Sequence, residues 1–208
     1  MISNFKNNPE LPTGNLKPAT PNKPLFVTGI GTGVGKTHVS AHFVEKMQTD
    51  YWKPIQSGDL DQSDTMKVRS MVKNLISKFH PEAYRLTQPF SPHKAAELDG
   101  IVIDPKKIIL PQTQNQLIIE GAGGLMVPLN NDFLMIDLIQ QLQAEVVLVV
   151  MHYLGSINHT LLSVEMLKSK DLPINRIIFN GIKEAYSENV IRSLHPNLVY
   201  EYLDWMES

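Results

Sequence analysis

The amino-acid sequence predicts an α/β fold of the doubly wound kind, in which a mostly parallel sheet carries helices on both faces. Two observations favour this fold class. Short apolar runs alternate with stretches of helical periodicity, which is typical of βαβ units. Residues 146–151 are apolar without a break, as expected for a central parallel strand that is covered on both faces.

Five strands are predicted from the apolar runs, at residues 25–27, 51–56, 116–119, 146–151 and 174–179. Polar or glycine-rich segments follow them, as is typical of the turns after buried strands. Those segments are residues 28–37, 53–58, 120–124, 153–158 and 180–181. Because ligands bind beyond the carboxyl ends of the strands in such sheets, we expect these segments to line one crevice.

Four helices are predicted from apolar residues that recur every three or four positions. The first follows residues 28–37, the second ends before Pro81, the third begins after Gly155-Ser156, and the last begins with a cap at Ser187-Glu188. The residues expected to face the core are Val39, Phe43, Val44 and Met47; Val68, Val72, Leu75, Ile76 and Phe79; Ile157, Leu161 and Val164; and Val190, Ile191 and Leu194.

Composition excludes several kinds of protein. The chain has no cysteine, so disulfides and thiolate metal sites are ruled out. Its net charge is −2 without a basic stripe, and no apolar stretch reaches the ~18 residues of a membrane span, so neither nucleic acid nor a membrane is expected as a partner. We expect a cytoplasmic protein with a flexible leader at residues 1–22 and a single domain at residues 23–208.

The loop at residues 28–37 reads Thr-Gly-Ile-Gly-Thr-Gly-Val-Gly-Lys-Thr. A strand that breaks into such a loop and then enters a helix presents backbone N–H groups to polyphosphate. Lys36 can reach the β- and γ-phosphates, and the Thr37 hydroxyl can join the shell of Mg²⁺. Gly29 lies six residues before Gly35, so the loop is one residue longer than the common form. These features predict a P-loop NTPase type of fold that binds ATP or a similar nucleotide.

Three charged side chains near the predicted strand ends are candidates for chemistry, and each has a structural alternative. Lys53 either holds transferring phosphate oxygens or is a solvated lysine. Asp64 is either a ligand of Mg²⁺ or a carboxylate at a helix start. Glu120, after a buried strand, needs a partner such as Mg²⁺ or a lysine. His38 and His42 have the i, i+4 spacing of a metal site, but without a carboxylate motif a structural role is favoured.

The informative segments occur in a fixed order along the chain. They are Thr28-Gly29-x-x-x-x-x-Gly35-Lys36-Thr37, Lys53-Pro54-x-x-Ser57-Gly58, Ser63-Asp64, Ser91-Pro92-His93, Glu120-Gly121-Ala122-Gly123-Gly124 with Pro128, Gly155-Ser156-Ile157-Asn158-His159, and Asn180. This combination resembles the dethiobiotin synthetase family, and the similarity runs from about residue 24 to about residue 186.

The resemblance implies an ATP-dependent ligase of biotin biosynthesis. In that family an amine of 7,8-diaminononanoate reacts with CO₂ to give a carbamate, which attacks the γ-phosphorus of MgATP. The neighbouring amine then displaces phosphate from the carbamic–phosphoric anhydride and closes the ring. The resemblance also implies a homodimer, because the substrate carboxylate rests on a helix start of the partner subunit.

The resemblance also assigns residues by position. Lys36 is expected to bridge the γ-phosphate and the carbamate, Lys53 to bind carbamate and phosphate oxygens, Ser57 to seat the substrate and Thr32 to touch the γ-phosphate. The ligands implied for Mg²⁺ are Thr37, Asp64 and Glu120. The nucleotide contacts implied are Gly33, Val34, Gly35, Lys36, Thr37, His38, Asp64, Glu120, Gly121, Ala122, Gly123, Asn180 and Gly181. The substrate contacts implied are Lys53, Ser57, Gly155, Ser156, Ile157, Asn158 and Tyr186.

Alternatives from other classes remain open at this point. A regulatory ATPase of the partitioning type would carry a signature lysine at the position of Gly31. A corrinoid amide synthetase would need a glutaminase domain in addition, and a nucleotide-binding module without catalysis would leave Lys53, Ser57 and Glu120 unexplained. The C-terminal region lacks a Gly-x-x-Pro segment that encloses adenine in many relatives, so the choice of nucleotide base is also open.

Overall fold

The computed structural model describes residues 23–204. The leader predicted at residues 1–22 lies outside the described residues, and the division into a leader and one domain stays a prediction. The strands are β1 Leu25–Gly29, β2 Asp50–Trp52, β3 Ile55–Ser57, β4 Phe79–His80, β5 Tyr84–Leu86, β6 Leu117–Gly124, β7 Glu145–Val150, β8 Ile174–Asn180 and β9 Tyr200–Leu203. The α-helices are α1 Lys36–Met47, α2 Asp64–Met71, α3 Pro92–Leu98, α4 Met135–Gln141, α5 Ser156–Ser169 and α6 Ala185–Leu194.

Seven strands form one sheet in the order β4-β2-β6-β1-β7-β8-β9, while β3 and β5 form a separate two-stranded sheet. The pairings between these strands are parallel. The chain first extends the sheet to one side of β1 and later to the other side, so the carboxyl end of β1 is the point at which the winding reverses. The predicted doubly wound fold is confirmed.

Alternating side chains of the central strands enter two separate cores. Phe26 of β1 and Leu148 of β7 belong to one hydrophobic cluster, and Val27 and Val147 belong to the other. This alternation follows from the two-residue repeat of a strand. Residues of α3, α4, α5 and α6 belong to the first cluster, and residues of α1 and α2 to the second, so helices cover both faces. Within residues 23–204, none of the helices combines the length and apolar character that a membrane span requires.

The predicted strand at residues 51–56 is in fact two short strands. β2 ends at Trp52, and Ile55 begins β3, which pairs with β5 instead of continuing in the main sheet. Pro54 lies between them, and a proline cannot donate to the hydrogen-bond ladder. The prediction for residues 116–119 was too short, because β6 continues through its glycines to Gly124, which pairs with Gly29 of β1.

The second predicted helix was also wrong at its end. α2 stops at Met71, and Phe79 belongs to strand β4. The Asn74 side-chain oxygen accepts hydrogen bonds from the N–H groups of Ile76 and Ser77, an alternative to helical bonding that asparagine readily offers. Leu75, assigned to the buried face by its spacing, is fully exposed.

The last helix begins earlier than predicted. Its N-terminal cap is Glu184, whose carboxylate accepts hydrogen bonds from the N–H groups of Tyr186 and Ser187, so Ser187 lies inside the helix. Ile191 is buried as expected, but Leu194 is exposed. Strands β4, β5 and β9 and helices α3 and α4 were not predicted, because they are short or lack a strong apolar repeat.

The central strand β7 should dominate the stability of the fold. Leu148 is fully buried in β7, whereas Leu162 on α5 is 61% exposed. We expect Leu148→Ala to lower the free energy of unfolding by about 2 to 5 kcal/mol, through lost burial and an unfilled cavity. Leu162→Ala should change it by less than about 0.5 kcal/mol. Urea denaturation of both variants measures the difference, and equal losses would contradict the core described above.

Candidate active site

The loop between β1 and α1 has the conformation of a phosphate cradle. A Cβ atom on Gly29 would lie 2.4 Å from a methyl carbon of Val34, so only glycine allows the loop to fold back on its strand. Gly35 has φ +86° and turns the chain directly into α1. Among the described residues, no side chain caps α1, and its first turn contains no acidic residue. The N–H groups of that turn therefore remain for an anion.

Lys36 lies across this loop instead of extending into solvent. Its ammonium group donates to the carbonyl of Gly31 at 3.2 Å, and the residue is 8% exposed. Burial lowers the pKa of Lys36 from 10.5 to about 8, while the charge of Glu120 opposes this shift and the charge of Lys53 adds to it. The charges of Lys36 and Lys53 are therefore close enough to affect each other.

A buried cluster of charged and hydroxyl groups faces the loop. The Lys53 ammonium group lies 2.6 Å from Asp64 Oδ2 and 3.1 Å from Glu120 Oε1. The Thr37 hydroxyl donates to Glu120 Oε1 at 2.9 Å, and the Tyr51 hydroxyl donates to Glu120 Oε2 at 2.9 Å. The end of β2, the middle of β6 and the starts of α1 and α2 therefore meet at one point.

Electrostatic interactions within the cluster favour the charged forms of Lys53 and Asp64. Burial alone would lower the pKa of Lys53, but the charges of Glu120 and Asp64 raise it above its ordinary value. Burial alone would raise the pKa of Asp64, but the Lys53 ammonium group holds it below its ordinary value. Burial raises the pKa of the Tyr51 phenol, as does the Glu120 carboxylate, so Tyr51 acts as a hydrogen-bond donor. The Lys67 ammonium group also lies 3.6 Å from Asp64 Oδ1, so the carboxylates of the cluster face more than one cationic side chain.

The oxygen donors of the cluster fit Mg²⁺. That ion prefers hard oxygen ligands and usually takes one or two carboxylates beside phosphate oxygens. Thr37, Asp64 and Glu120 supply one hydroxyl and two carboxylates, and the Lys53 ammonium group already occupies the space between the carboxylates as a cation. His38 and His42 belong to no group of three or more potential metal-binding side chains within residues 23–204.

The cluster lies in an open cleft of about 1680 Å³. The cleft brings together many of the predicted site residues: Thr32, Gly33, Gly35, Lys36, Thr37, His38, Lys53, Ser57, Asp64, Glu120, Ala122 and Gly123. One part of its wall is apolar and is formed by Ile55, Pro89, Phe90, Pro92 and Val127. The cleft can thus receive both a polyanion and an aliphatic chain.

The other predicted site residues lie outside the lining of this cleft. Val34 is buried in the core, and Gly121 packs against Phe26. The Asn180 side-chain amide donates to the carbonyl of Val34 at 3.0 Å, and its buried oxygen has no hydrogen-bond partner among the described residues. Gly181 follows β8. Four of the remaining residues lie at the start of α5: Gly155 is its N-terminal cap, and Ser156, Ile157 and Asn158 form its first turn. Tyr186 is exposed on α6.

Two residues of the site were missed by the sequence analysis. Tyr51 looks like an ordinary core residue of a strand, although its position two residues before Lys53 puts both on one side of the strand. The Gln56 side-chain oxygen accepts a hydrogen bond from the Asp64 N–H at 3.3 Å, and its amide donates to the Gly58 carbonyl at 2.9 Å. Gln56 thus attaches the start of α2 to the end of β3.

Comparisons with known proteins show the family and the fold of the chain. A family model described as an AAA domain matches residues 23–206. The ATP-dependent dethiobiotin synthetase BioD of Christiangramia forsetii is 53% identical over 172 residues, which is 83% of each chain. The BioD of Cytophaga hutchinsonii is 48% identical over 170 residues, 81% of this chain and 82% of the relative. A ParA family ATPase structure from Chlorobium tepidum superposes with TM-score 0.54 at 14% identity, covering 89% of this chain and 86% of the other, and shares the fold.

The lowered pKa of Lys36 predicts that nucleotide binding depends on pH. The ammonium form attracts phosphate, and in the free protein it loses its proton as the pH rises through about 8. We expect the affinity for a non-hydrolysable ATP analogue to be roughly tenfold weaker at pH 9 than at pH 7. Lys36→Arg should show a flat profile because the guanidinium group stays charged. Isothermal titration at several pH values tests this, and a flat wild-type profile would refute it.

Proposed function

The chain belongs to the ATP-dependent dethiobiotin synthetase family, and from this premise we propose how its cleft joins CO₂ to 7,8-diaminononanoate. The enzyme is an ATP-dependent ligase of biotin biosynthesis. The observation that carries the proposed mechanism is that two buried lysines, Lys36 and Lys53, share one cleft with a carboxylate pair. We further propose a cytoplasmic location, where ATP is available to the reaction.

The central difficulty of the reaction is to bring two anions together. The carbamate of the substrate must approach the γ-phosphate of ATP, and like charges repel at that range. Lys36 and Lys53 provide ammonium groups that can bind both anions in one geometry. Because charge builds on the transferring oxygens in the transition state, these fixed cations lower the barrier as well as the cost of assembly.

The group transfer proceeds in two steps in this proposal. A carbamate oxygen attacks the γ-phosphorus, the bond to the β-phosphate oxygen breaks, and ADP leaves. The second amine then attacks the carbamate carbon and loses a proton, and the anhydride oxygen leaves with phosphate as the ring closes. Thr37, Asp64 and Glu120 would hold Mg²⁺, which when bound neutralises charge on the triphosphate.

The substrate side of the cleft has suitable polar and apolar groups. The Ser57 hydroxyl is buried at the end of β3 without a hydrogen-bond partner among the described residues, so it is available to seat the diamine or carbamate. Thr32 lies exposed at the tip of the phosphate loop, where we propose that it contacts the γ-phosphate. The apolar wall near Phe90 and Val127 suits the methylene chain of the substrate.

We propose that the nucleotide base lies beside Asn180 and Gly181. The Asn180 amide oxygen is buried without a hydrogen-bond partner among the residues that the structure describes, and a buried acceptor of this kind suits the amino group of adenine. The Asn180 amide nitrogen is already committed to the Val34 carbonyl. The strand that would read the base is therefore attached directly to the loop that would hold the phosphates.

The substrate carboxylate would bind across a homodimer at the start of α5. Gly155 enters this helix with φ +103°, and no side chain among the described residues caps it. Asn158 is exposed on its first turn, and the positive end of the helix suits a carboxylate. Ser156 is buried and its N–H already donates to the Tyr153 carbonyl, so the N–H groups of Ile157 and Asn158 would hold the carboxylate, and the exposed Tyr186 would approach from α6.

Lys53 provides the main test of the proposed chemistry. With Mg²⁺, ATP, bicarbonate and the diamine, the protein should release ADP only when the diamine is present. Lys53→Met should slow this release by about two to four powers of ten, because a preorganised cation is lost. Lys168→Met, at an exposed lysine paired with Glu165, should match the wild type. Release of ADP that ignores the diamine would contradict the proposed function.

A mixing experiment tests the shared site. Asn158→Asp should repel the substrate carboxylate, and Lys53→Met removes the catalytic cation, so each variant alone should be nearly inactive. If the two defects lie in different subunits of one site, co-refolded mixtures form mixed dimers with one intact site, and roughly a quarter of all sites recover. No recovery in mixtures whose dimers have exchanged would exclude a site shared between subunits.

A further inference from the structure

The buried hydroxyl of Tyr51 makes a contact that the mechanism above does not use. Tyr51 is fully buried in β2, and its hydroxyl donates to Glu120 Oε2 at 2.9 Å. The other oxygen of the same carboxylate, Oε1, accepts from Thr37 and Lys53. Within residues 23–204, Tyr51 makes the one hydrogen bond found at Oε2.

The strand register explains how this contact arises. Tyr51 pairs with Ile118 in the parallel β2–β6 ladder, and Glu120 follows Ile118 by two residues, so Tyr51 and Glu120 lie on one face of the sheet. The Tyr51 ring is held against Phe79 with its centroid 5.9 Å away. It also belongs to the hydrophobic core under α1. The hydroxyl group is therefore fixed in place before any ligand arrives.

Tyr51 and Lys53 hold the carboxylate from a single segment. They are two residues apart, and each contacts a different oxygen of Glu120. A carboxylate held at one oxygen can rotate about its terminal bond, whereas contacts at both oxygens define its plane. Ligating carboxylates are commonly fixed by such outer hydrogen bonds, and their loss weakens metal binding by about 10- to 100-fold.

We propose that Tyr51 is a positioning residue that fixes the plane of the Glu120 carboxylate for Mg²⁺ through its hydroxyl group. This inference rests on the proposed role of Glu120 as a ligand of Mg²⁺. The hydroxyl group, and not the bulk of the ring, carries this role. Tyr51→Phe therefore isolates it, because the variant keeps the ring in the core and leaves Glu120 Oε2 without its donor.

The experiment measures Mn²⁺ binding by electron paramagnetic resonance, in the presence of a non-hydrolysable ATP analogue. We expect Tyr51→Phe to bind Mn²⁺ about tenfold more weakly than the wild type. The half-saturating Mg²⁺ concentration for turnover should rise by a similar factor, while the KM for the diamine at saturating Mg²⁺ stays unchanged. A general loss of packing would not produce this separation.

Two controls separate positioning from stability. Tyr200→Phe removes a hydroxyl that donates to the His195 carbonyl at 2.9 Å, away from the cleft, and should bind Mn²⁺ like the wild type. Val68→Ala loosens the same core that holds the Tyr51 ring, so it should lower the thermal midpoint without changing Mn²⁺ affinity. If Val68→Ala weakens Mn²⁺ binding as much as Tyr51→Phe does, packing explains the effect and the inference is overturned.

Glu120→Gln distinguishes this inference from the proposed function. The variant should lose most Mn²⁺ affinity if Glu120 is a ligand. If Tyr51→Phe binds Mn²⁺ as tightly as the wild type and Glu120→Gln binds it weakly, the role of Tyr51 is overturned and the proposed function stands. Wild-type binding by Glu120→Gln overturns the metal role of Glu120 and the inference with it, although diamine-dependent ADP release would still identify the ligase.

Discussion

The ion cluster of Lys53, Asp64 and Glu120 is the constraint on which the rest of the site depends. A buried charge is costly unless it is paired and hydrogen-bonded, and Glu120 is only 1% exposed. Its hydrogen-bond partners are Thr37 at the start of α1, Tyr51 of β2 and Lys53, so the cluster forms only if β2 lies beside β6 and β6 beside β1. The assembly of the ion cluster therefore depends on the order of these three strands.

The opposite end of β2 shows what a purely structural carboxylate looks like. Asp50 accepts hydrogen bonds from the Lys78 N–H, the Asn115 amide and the Thr113 hydroxyl, and its second oxygen also lies 3.1 Å from a ring nitrogen of His80. Burial opposes ionisation there, but these contacts hold the pKa of Asp50 below its ordinary value. Asp50 is satisfied by polar groups that have no part in the cleft, whereas the carboxylates at the cleft are balanced by the ammonium group of Lys53.

Sequence reasoning succeeded where the signal lay in contiguous residues. The phosphate loop, the strand at residues 146–151 and the set Lys36, Lys53 and Glu120 follow from local pattern and from the rule for strand ends. It failed where one local hydrogen-bonding group decided where a strand or helix begins or ends. Pro54 has no N–H to continue the strand, the Asn74 side chain forms a turn after α2, and the Glu184 side chain caps α6. Tyr51 was missed for a different reason. A tyrosine that only packs in the core and a tyrosine whose hydroxyl binds a carboxylate look the same in the sequence until the register with β6 is known.

The likeness to a ParA family ATPase shows why the site must carry the functional argument. The two proteins have the same fold although their sequences are only 14% identical, and one fold can host many activities. The phosphate loop alone predicts nucleotide binding and goes no further. The second lysine makes the difference: Lys53 directly follows β2, and its ammonium group reaches Asp64 and Glu120 at the cleft. A site with two lysines can hold a second anion beside the triphosphate, as the proposed carbamate step requires.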